Sequence, residues 1–272
     1  MTALKLSSLK VFLRVQRLDK MQKMIDTHAH YDDEIFENNL SDVLNEINQN
    51  GVEKIVTCSV NLDNAEKVLS LCEKYDMLYA AVGIYPHDTK EHPLDKEKFL
   101  NLLKHEKVVA VGEIGLDYYY DDSPKETQIA VLRKQLEIAN EVGLPITFHD
   151  REAHGDTLDL LKEFKPKGVV HCFSGSIEMA REIVKLGMYL GVGGALTFKN
   201  ARVLPGVVKE IPLENLVLET DAPYMTPVPF RGKCNRSDYM IFIAEKIAEI
   251  KGVSVDEVVS ITTENANKIF KI

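Results

Sequence analysis

Residues 24–31, MIDTHAHY, open a pattern that continues along most of the chain. The segment starts with apolar, strand-forming residues and ends in two histidines, His28 and His30. Side chains two positions apart on a β-strand lie on the same face. If the segment is a strand, both imidazoles therefore point to the same side of the sheet.

Strand-like segments alternate with amphipathic stretches of helical spacing along the rest of the chain. Two of these stretches, residues 39–50 and 124–142, are followed directly by Gly51 and Gly143, a typical helix stop. Such alternation indicates repeated βα units and a parallel sheet. The eight predicted strands are residues 24–28, 54–60, 78–83, 108–113, 146–149, 168–172, 188–192 and 216–221.

Eight strands match the number in a (β/α)8 barrel, and a chain of 272 residues suits a fold that takes about 250. We therefore predict an α/β fold, a TIM-type (β/α)8 barrel, as a single domain over residues 24–272. Two extra C-terminal helices are expected at residues 238–250 and 255–270. An open, doubly wound sheet of eight strands is the alternative, and the sequence alone does not exclude it.

The first 23 residues differ in charge from the rest, with six basic residues and one acid, Asp19. Because Met21 and Met24 stand just before the first predicted strand, we expect residues 1–23 to be a basic extension outside the core. A transit peptide, which is also rich in arginine and poor in acids, is the alternative.

Charge and cysteine usage limit the class of protein. The net charge of −9 argues against a protein that coats long stretches of nucleic acid, although metal ions and a few local basic residues can hold a short segment. The four cysteines are widely spaced, which predicts reduced thiols in a cytoplasmic protein. We expect no membrane association, since no apolar run is long enough to cross a bilayer.

Several predicted strands end in a residue type that binds metal ions. The active site of an α/β barrel lies at the carboxyl ends of its strands, so these side chains should converge. They offer nitrogen and oxygen donors and no thiolate, which favours Mg, Mn or Zn. Six ligands suit two divalent ions that share a carboxylate, a common arrangement for hydrolysing phosphate esters. The candidates are His28, His30, Glu113, His149, His171 and Asp221. His87 follows the third predicted strand, where a substrate role is possible.

Five segments resemble the motifs of the TatD deoxyribonuclease family, in the family's order and over almost all of residues 24–272. They resemble its Asp-x-His-x-His, Gly-Glu-x-Gly-Leu-Asp, Pro-x-x-x-His-x-Arg-x-Ala, His-Cys-Phe-Ser-Gly and Glu-Thr-Asp-x-Pro motifs. The segments are MIDTHAHY (24–31), VGEIGLDY (111–118), PITFHDREA (145–153), HCFSG (171–175) and LETDAPY (218–224).

The resemblance implies a TIM barrel of the amidohydrolase-like superfamily with metal-dependent, exonuclease-like DNase activity. It also implies that the six candidates bind two divalent metal ions. Glu113 and Asp221 would be the catalytic residues, Glu113 by bridging the ions and Asp221 by also handling the proton of the attacking water. Arg151 and Arg231 resemble the family's phosphate-contacting positions. The implied partner is a short segment or end of DNA, with no obligate protein partner.

Basic residues near the predicted strand ends are few. Arg231, Lys233 and Arg236 form the only dense cluster of them, and Arg151 is expected to join it. Two positions depart from the family pattern: Tyr85 stands where Gly-x-His-Pro has its histidine, and Ser237 stands where a proline is usual. These departures bear on substrate preference and leave the candidate ligands intact.

Two other functions are compatible with the same pattern. One is an amidohydrolase or esterase that acts on a small or aminoacyl-tRNA substrate, since activated water also attacks carbonyl groups. Many such sites bridge their metals with a carbamylated lysine, but the candidate here is Glu113 and no lysine ends the fourth predicted strand. The other is a non-catalytic barrel that only binds, and loss of at least one ligand would be expected for it.

Overall fold

A computed structural model describes residues 23–272, so the predicted basic extension lies outside the described residues except for Lys23. The strands form one parallel sheet in which neighbours follow chain order from β1 to β8. They are β1 (Met24–Ala29), β2 (Val52–Cys58), β3 (Leu78–Val82), β4 (Val108–Asp117), β5 (Ile146–Arg151), β6 (Gly168–Val170), β7 (Tyr189–Val192) and β8 (Leu216–Leu218).

The sheet closes on itself between its first and last strands. The backbone N–H of His30 donates to the carbonyl of Ala222 at 2.7 Å, and that of Asp221 donates to the carbonyl of His28 at 2.9 Å. Closure with consecutive strand order confirms the (β/α)8 barrel and excludes the doubly wound sheet, in which the strand order reverses.

Helices surround the barrel and connect its strands. Among the described residues the α-helices are α1 (Leu40–Gln49), α2 (Leu62–Lys74), α3 (Lys96–Leu102), α4 (Lys125–Val142), α5 (His154–Phe164), α6 (Ile177–Lys185), α7 (Leu204–Glu210), α8 (Met240–Lys251) and α9 (Val255–Phe270). None of the helices within residues 23–272 has the length and apolarity needed to cross a membrane.

The predicted extra C-terminal helices are α8 and α9. Helix α9 is fixed to the start of β8 because the Asn265 amide donates to the carbonyls of Leu213 and Leu216, both at 2.8 Å. At its end, Ile269 and Phe270 form an apolar cluster with strand side chains such as Val109. Apolar contacts of α9 thus contribute to the barrel core.

Several predicted strand ends were wrong by a few residues. Strand β4 continues four residues past Glu113, because it stays paired with β5 as far as Asp117 and Arg151. Strand β5 likewise runs two residues past His149. Strand β8 stops at Leu218, before Asp221, whose φ of 59° is left-handed and incompatible with extended structure.

Candidate metal centre

The six predicted ligands lie in one cluster around Glu113, which projects from within β4. Oxygen Oε1 of Glu113 is 2.9 Å from Nδ1 of His149 and 2.9 Å from Nε2 of His171. The other oxygen, Oε2, is 3.3 Å from Nε2 of His28 and 3.5 Å from Nε2 of His30. Each oxygen of this carboxylate therefore faces a different pair of histidines.

Asp221 lies beside the first of these pairs, in the loop after β8. Its Oδ1 is 3.5 Å from Nε2 of His30 and 3.8 Å from Nε2 of His28. Its backbone is held by the bond to the carbonyl of His28 that closes the barrel. The loop residue Asp221 is thus placed by the same contacts that complete the sheet.

Close approach of β4 and β5 brings Glu113 and His149 together. Gly115 has a φ of 151°, and a Cβ at this position would lie 2.0 Å from the carbonyl oxygen of His149. A side chain here would force the two strands apart. The glycine of the segment VGEIGLDY therefore determines the distance between two candidate ligands.

In three of the histidines, the ring nitrogen that faces away from the cluster is within hydrogen-bond distance of another protein group. Nδ1 of His28 is 3.0 Å from Oγ1 of Thr147, and Nδ1 of His30 is 3.2 Å from the carbonyl oxygen of Cys58. Nε2 of His149 is 3.0 Å from Oδ2 of Asp117. Carbonyl and carboxylate oxygens only accept, so the outer nitrogens of His30 and His149 carry the proton. Their inner nitrogens can then offer a lone pair to a metal ion.

His171 differs, because its outer nitrogen Nδ1 is buried and has no hydrogen bond. Oε1 of Glu219, a fully buried carboxyl, lies 3.8 Å away and accepts from the backbone N–H of Cys172. Burial raises the pKa of Glu219 to about 8. Glu219 was not among the predicted site residues, although it directly precedes Thr220 and Asp221 in the Glu-Thr-Asp motif.

The electrostatics of the cluster favour bound positive charge. Burial alone would raise the pKa of Glu113, but the neighbouring His171 and His28 hold it well below its usual value. Burial would lower the pKa values of His30 and His149, yet adjacent carboxylates raise both to about 9. Burial and the positive charge of His171 lower the pKa of His28 to about 4. The carboxylates thus attract positive charge to a cluster whose donor atoms could hold a metal ion.

Asp117 is a second carboxyl group of the site that was not among the predicted site residues. It is fully buried, and its Oδ2 lies 3.0 Å from His149, 3.2 Å from Nε2 of His87 and 3.4 Å from the hydroxyl of Tyr85. Burial would raise its pKa, but the bond from His149 lowers it to about 2. His87, for which a substrate role was considered, contacts Asp117 and lies outside the cavity lining. The motif Gly-Leu-Asp was the available signal for Asp117.

Tyr85, which replaces the family's histidine, remains in contact with the cluster. Its hydroxyl is 3.3 Å from Nε2 of His149, and its side chain lines the cavity above the site. Burial raises the pKa of this phenol well above its usual value. Tyr85 is therefore a neutral hydrogen-bond donor at neutral pH.

Ser237, the second departure, connects the loop after β8 to β1. Its hydroxyl donates to Oδ2 of Asp26 at 2.6 Å, and its backbone N–H donates to the hydroxyl of Tyr31 at 3.0 Å. A proline could make neither bond. Burial raises the pKa of Asp26 to about 6. This network lies directly behind His28, since Asp26 also accepts from its backbone N–H at 3.2 Å.

The cluster opens into a cavity of about 650 Å³. Arg151 is the one arginine or lysine among the described residues that line it, against five carboxyl groups, and these are Asp32, Asp33, Glu113, Asp150 and Asp221. Among the described residues that line the cavity, Arg151 is therefore the one guanidinium or ammonium group that could contact a phosphate group.

The predicted basic cluster is only partly available to a substrate. Arg231 is not in the cavity lining and lies over the ring of Phe198 at 3.8 Å. Arg236 forms ion pairs with Glu46 at 2.8 Å and Asp238 at 3.1 Å. Two carboxylates therefore offset the charge of Arg236, the third member of the predicted basic cluster.

Comparison with known proteins agrees with the geometry. The chain is 44% identical over 253 residues to the uncharacterized metal-dependent hydrolase YabD of Bacillus subtilis, covering 92% of this chain and 99% of that protein. It is 34% identical over 255 residues to the uncharacterized metal-dependent hydrolase YcfH of Escherichia coli, covering 92% and 96%.

Two solved structures share the fold over nearly their whole length. The TatD homologue YjjV of Escherichia coli is 36% identical with a TM-score of 0.85, covering 92% of this chain and 98% of that one. A TatD family hydrolase of Entamoeba histolytica is 30% identical with a TM-score of 0.82 and the same coverage. The family model described as TatD related DNase matches residues 25–271. The chain therefore belongs to the family of TatD-related DNases.

Proposed function

We propose that this chain is a metal-dependent hydrolase that cleaves phosphodiester bonds in DNA, at a short segment or an end. The observation that carries the proposal is the position of Glu113, whose two carboxylate oxygens face two different pairs of histidines. A bridging carboxylate between two divalent ions requires this arrangement.

The donors divide into two groups around that carboxylate. His28, His30 and Asp221 would hold one ion together with Oε2 of Glu113, and His149 and His171 would hold the other with Oε1. The side chains fit such ions, since all donors are nitrogen or oxygen and most outer nitrogens are already hydrogen-bonded. Bound divalent ions supply Lewis acidity at phosphoryl oxygens and lower the pKa of water.

Asp221 is suited to accept a proton from the attacking water. Burial would raise its pKa, but its bond with His30 and the charges of the nearby histidines lower it, so the carboxylate is ionised at neutral pH. Its side chain is 19% exposed, whereas that of Glu113 is 4% exposed. Both side chains line the cavity, and that of Asp221 is the more exposed of the two.

Arg151 is positioned to bind the phosphate group of the substrate. It lines the same cavity as the cluster, and its guanidinium can donate two parallel hydrogen bonds to phosphate oxygens. The cavity volume of about 650 Å³ lies within the range of small-molecule sites, about 300–1,000 Å³. A short end of a chain fits such a cavity. The family's description as DNases further supports DNA as the substrate.

The proposal is tested with protein freed of metal by a chelator. The protein is incubated with end-labelled single-stranded and double-stranded DNA after addition of Mg²⁺, Mn²⁺ or Zn²⁺ separately, and with a carboxylic ester and an aminoacyl-tRNA in parallel. We expect DNA cleavage only after metal addition. Metal-dependent hydrolysis of the ester or aminoacyl-tRNA without DNA cleavage would support the amidohydrolase alternative. Binding without turnover of any substrate would support a non-catalytic barrel.

A further inference from the structure

Exposed apolar side chains are concentrated on the loops that follow the strands, the side of the barrel on which the candidate site lies. Within residues 23–272, six of the seven large apolar side chains that are exposed lie on loops after the carboxyl ends of strands. They are Ile35, Tyr119, Tyr120, Val203, Tyr224 and Val228. Contiguous exposed apolar groups next to a cavity usually mark a binding surface.

Two of these residues, Tyr119 and Tyr120, form what we call the tyrosine shelf. They are 52% and 46% exposed, and their ring centroids are 4.7 Å apart with nearly perpendicular planes. The guanidinium of Arg151, which lines the cavity, lies 3.9 Å from the ring centre of Tyr119 and 5.0 Å from that of Tyr120. The shelf is therefore adjacent to the proposed phosphate-binding side chain.

The loop that carries the shelf is anchored at both ends. The backbone N–H of Tyr119 donates to Oδ1 of Asp117 at 2.9 Å, and the other oxygen of Asp117 contacts His149. The buried Gln128 amide donates to the carbonyls of Asp117 at 2.8 Å and Ser123 at 2.9 Å. The rings are thus exposed on a loop whose backbone is fixed to the metal-ligand cluster.

A chain of ring contacts leads from the cluster to the shelf. The ring of Tyr85 lies 5.0 Å from that of His149 and 4.8 Å from that of His87, and His87 lies 5.2 Å from Tyr120. The aromatic surface is therefore continuous with the site that would hold the scissile phosphate.

The charges around the cavity indicate that a polyanionic substrate would also need uncharged contacts to bind. One arginine and five carboxyl groups line it, and two further carboxyl groups, Asp121 and Asp122, follow the shelf. Phosphate contacts alone would give a polyanion little affinity for such a surface. Aromatic rings bind nucleobases by stacking, which does not depend on the charge of the backbone.

We infer that the tyrosine shelf is a binding site for a nucleobase next to the scissile phosphodiester, an inference that rests on the proposed function. Arg151 holds the phosphate, and the neighbouring base stacks on Tyr119 or Tyr120. Because the faces of a base within a duplex are covered by its neighbours, the bound base is unstacked from the adjoining base pair.

The test compares an intact thymidine hexanucleotide with hexanucleotides that carry an abasic residue at one of the two terminal positions of either end. Steady-state kinetics are measured with the full chain and Mn²⁺. For the unmodified protein, removing the base at one position should raise KM roughly tenfold with a smaller change in kcat, the usual scale of one base–aromatic stack. This comparison requires no substitution and so does not depend on the folding of a variant.

Variants then assign the effect to the shelf. Tyr119→Ala and Tyr120→Ala should raise KM for the intact hexanucleotide, with a much smaller change for the abasic one. Tyr119→Phe keeps the ring and should recover most of the loss. Because Arg151 meets the same phosphate in both substrates, a disturbance of Arg151 would affect both equally.

The outcomes separate this inference from the proposed function. Equal KM for intact and abasic hexanucleotides, or equal losses on both in the alanine variants, would overturn the base-binding shelf while DNA cleavage stands. Equal losses on both substrates in the alanine variants would indicate that the rings support the loop or bind a protein. If the unmodified protein cleaves neither the hexanucleotides nor methyl p-nitrophenyl phosphate, a diester without a base, the proposed function fails and the inference falls with it.

Discussion

At the scale of single residues, the position of Asp221 combines a structural and a chemical role. Its left-handed backbone ends the last strand, and its N–H completes the barrel through the carbonyl of His28. Its carboxylate faces His30 and reaches the cavity. A substitution that keeps the shape of the side chain therefore separates the two roles.

Asp221→Asn should lower kcat by at least about a hundredfold, because the amide cannot accept the proton of the attacking water. The fold should be retained, since the backbone bonds of Asp221 do not involve the side chain. The measurement is kcat at saturating metal, with circular dichroism as a check of the fold. Asp159→Asn, at an exposed position on α5, is the matched control for loss of a charge. Near-normal turnover of Asp221→Asn would assign the proton to another group.

Asp117→Asn should weaken metal binding by roughly 10- to 100-fold, the usual effect of losing a carboxylate behind a histidine ligand. The asparagine oxygen can still accept from His149, but it no longer stabilises positive charge on the ring. The measurement is calorimetric titration of metal-free protein with Zn²⁺. Tyr85→Phe, which removes a longer contact to the same nitrogen, should cause a smaller loss. A larger effect of Tyr85→Phe would show that Asp117 does not position His149.

At the scale of elements, β4 and β5 determine the geometry of the centre. They supply Glu113, Asp117, His149 and Arg151, and they stay paired to their ends. The alternation of apolar runs predicted both strands but placed the end of β4 at the first charged residue. The strand does not end at Glu113, because the carboxyl groups of Glu113 and Asp117 both have partners inside the barrel.

Gly115→Ala should destabilise the protein by about 2–4 kcal/mol, since it combines an unfavourable φ with contact against the His149 carbonyl. It should also weaken metal binding by displacing His149. Urea unfolding gives the free energy of unfolding. Gly143→Ala is the control, because Gly143 also has positive φ, 72°, but no atom lies near its added Cβ. Equal losses in both variants would show that φ alone matters and that β5 has room to move.

At the scale of the whole molecule, the sequence predicted the barrel, which the structure confirms. It also predicted six candidate ligands, which lie in one cluster, and metal binding by them stays a prediction. Regular alternation over eight units requires a closed or open parallel sheet, and ligand types at strand ends then converge. Asp117 and Glu219, which lie behind the candidate ligands, belong to the Gly-Leu-Asp and Glu-Thr-Asp motifs, but the sequence does not show which side chains they contact. The neutralisation of Arg236 by Glu46 depends on the packing of distant segments.

The affinity for DNA should depend less on salt concentration than is usual for an enzyme that acts on nucleic acids. The protein carries a net charge of −9, and Arg151 is the one arginine or lysine among the described residues that line the cavity, so we expect few phosphates to be contacted. In Arg151→Ala, the slope of log K against log salt concentration should become less steep by the amount that roughly one phosphate contact contributes. Arg231→Ala should give a similar change only if Arg231 leaves Phe198 to meet the substrate. Fluorescence anisotropy in Ca²⁺ over a range of salt concentrations provides the slopes. Affinity that keeps rising over tens of nucleotides would indicate a different binding surface.

We propose that Glu113 bridges two metal ions, and electron paramagnetic resonance of the Mn²⁺-loaded protein tests this proposal most directly. Metal-free protein is titrated with Mn²⁺, and bound metal is counted in parallel. Two ions about 3.5–4 Å apart should give an exchange-coupled spectrum at two ions per chain. In Glu113→Ala the coupling should be lost. A single bound ion per chain, or two ions without coupling in the unmodified protein, would contradict the account.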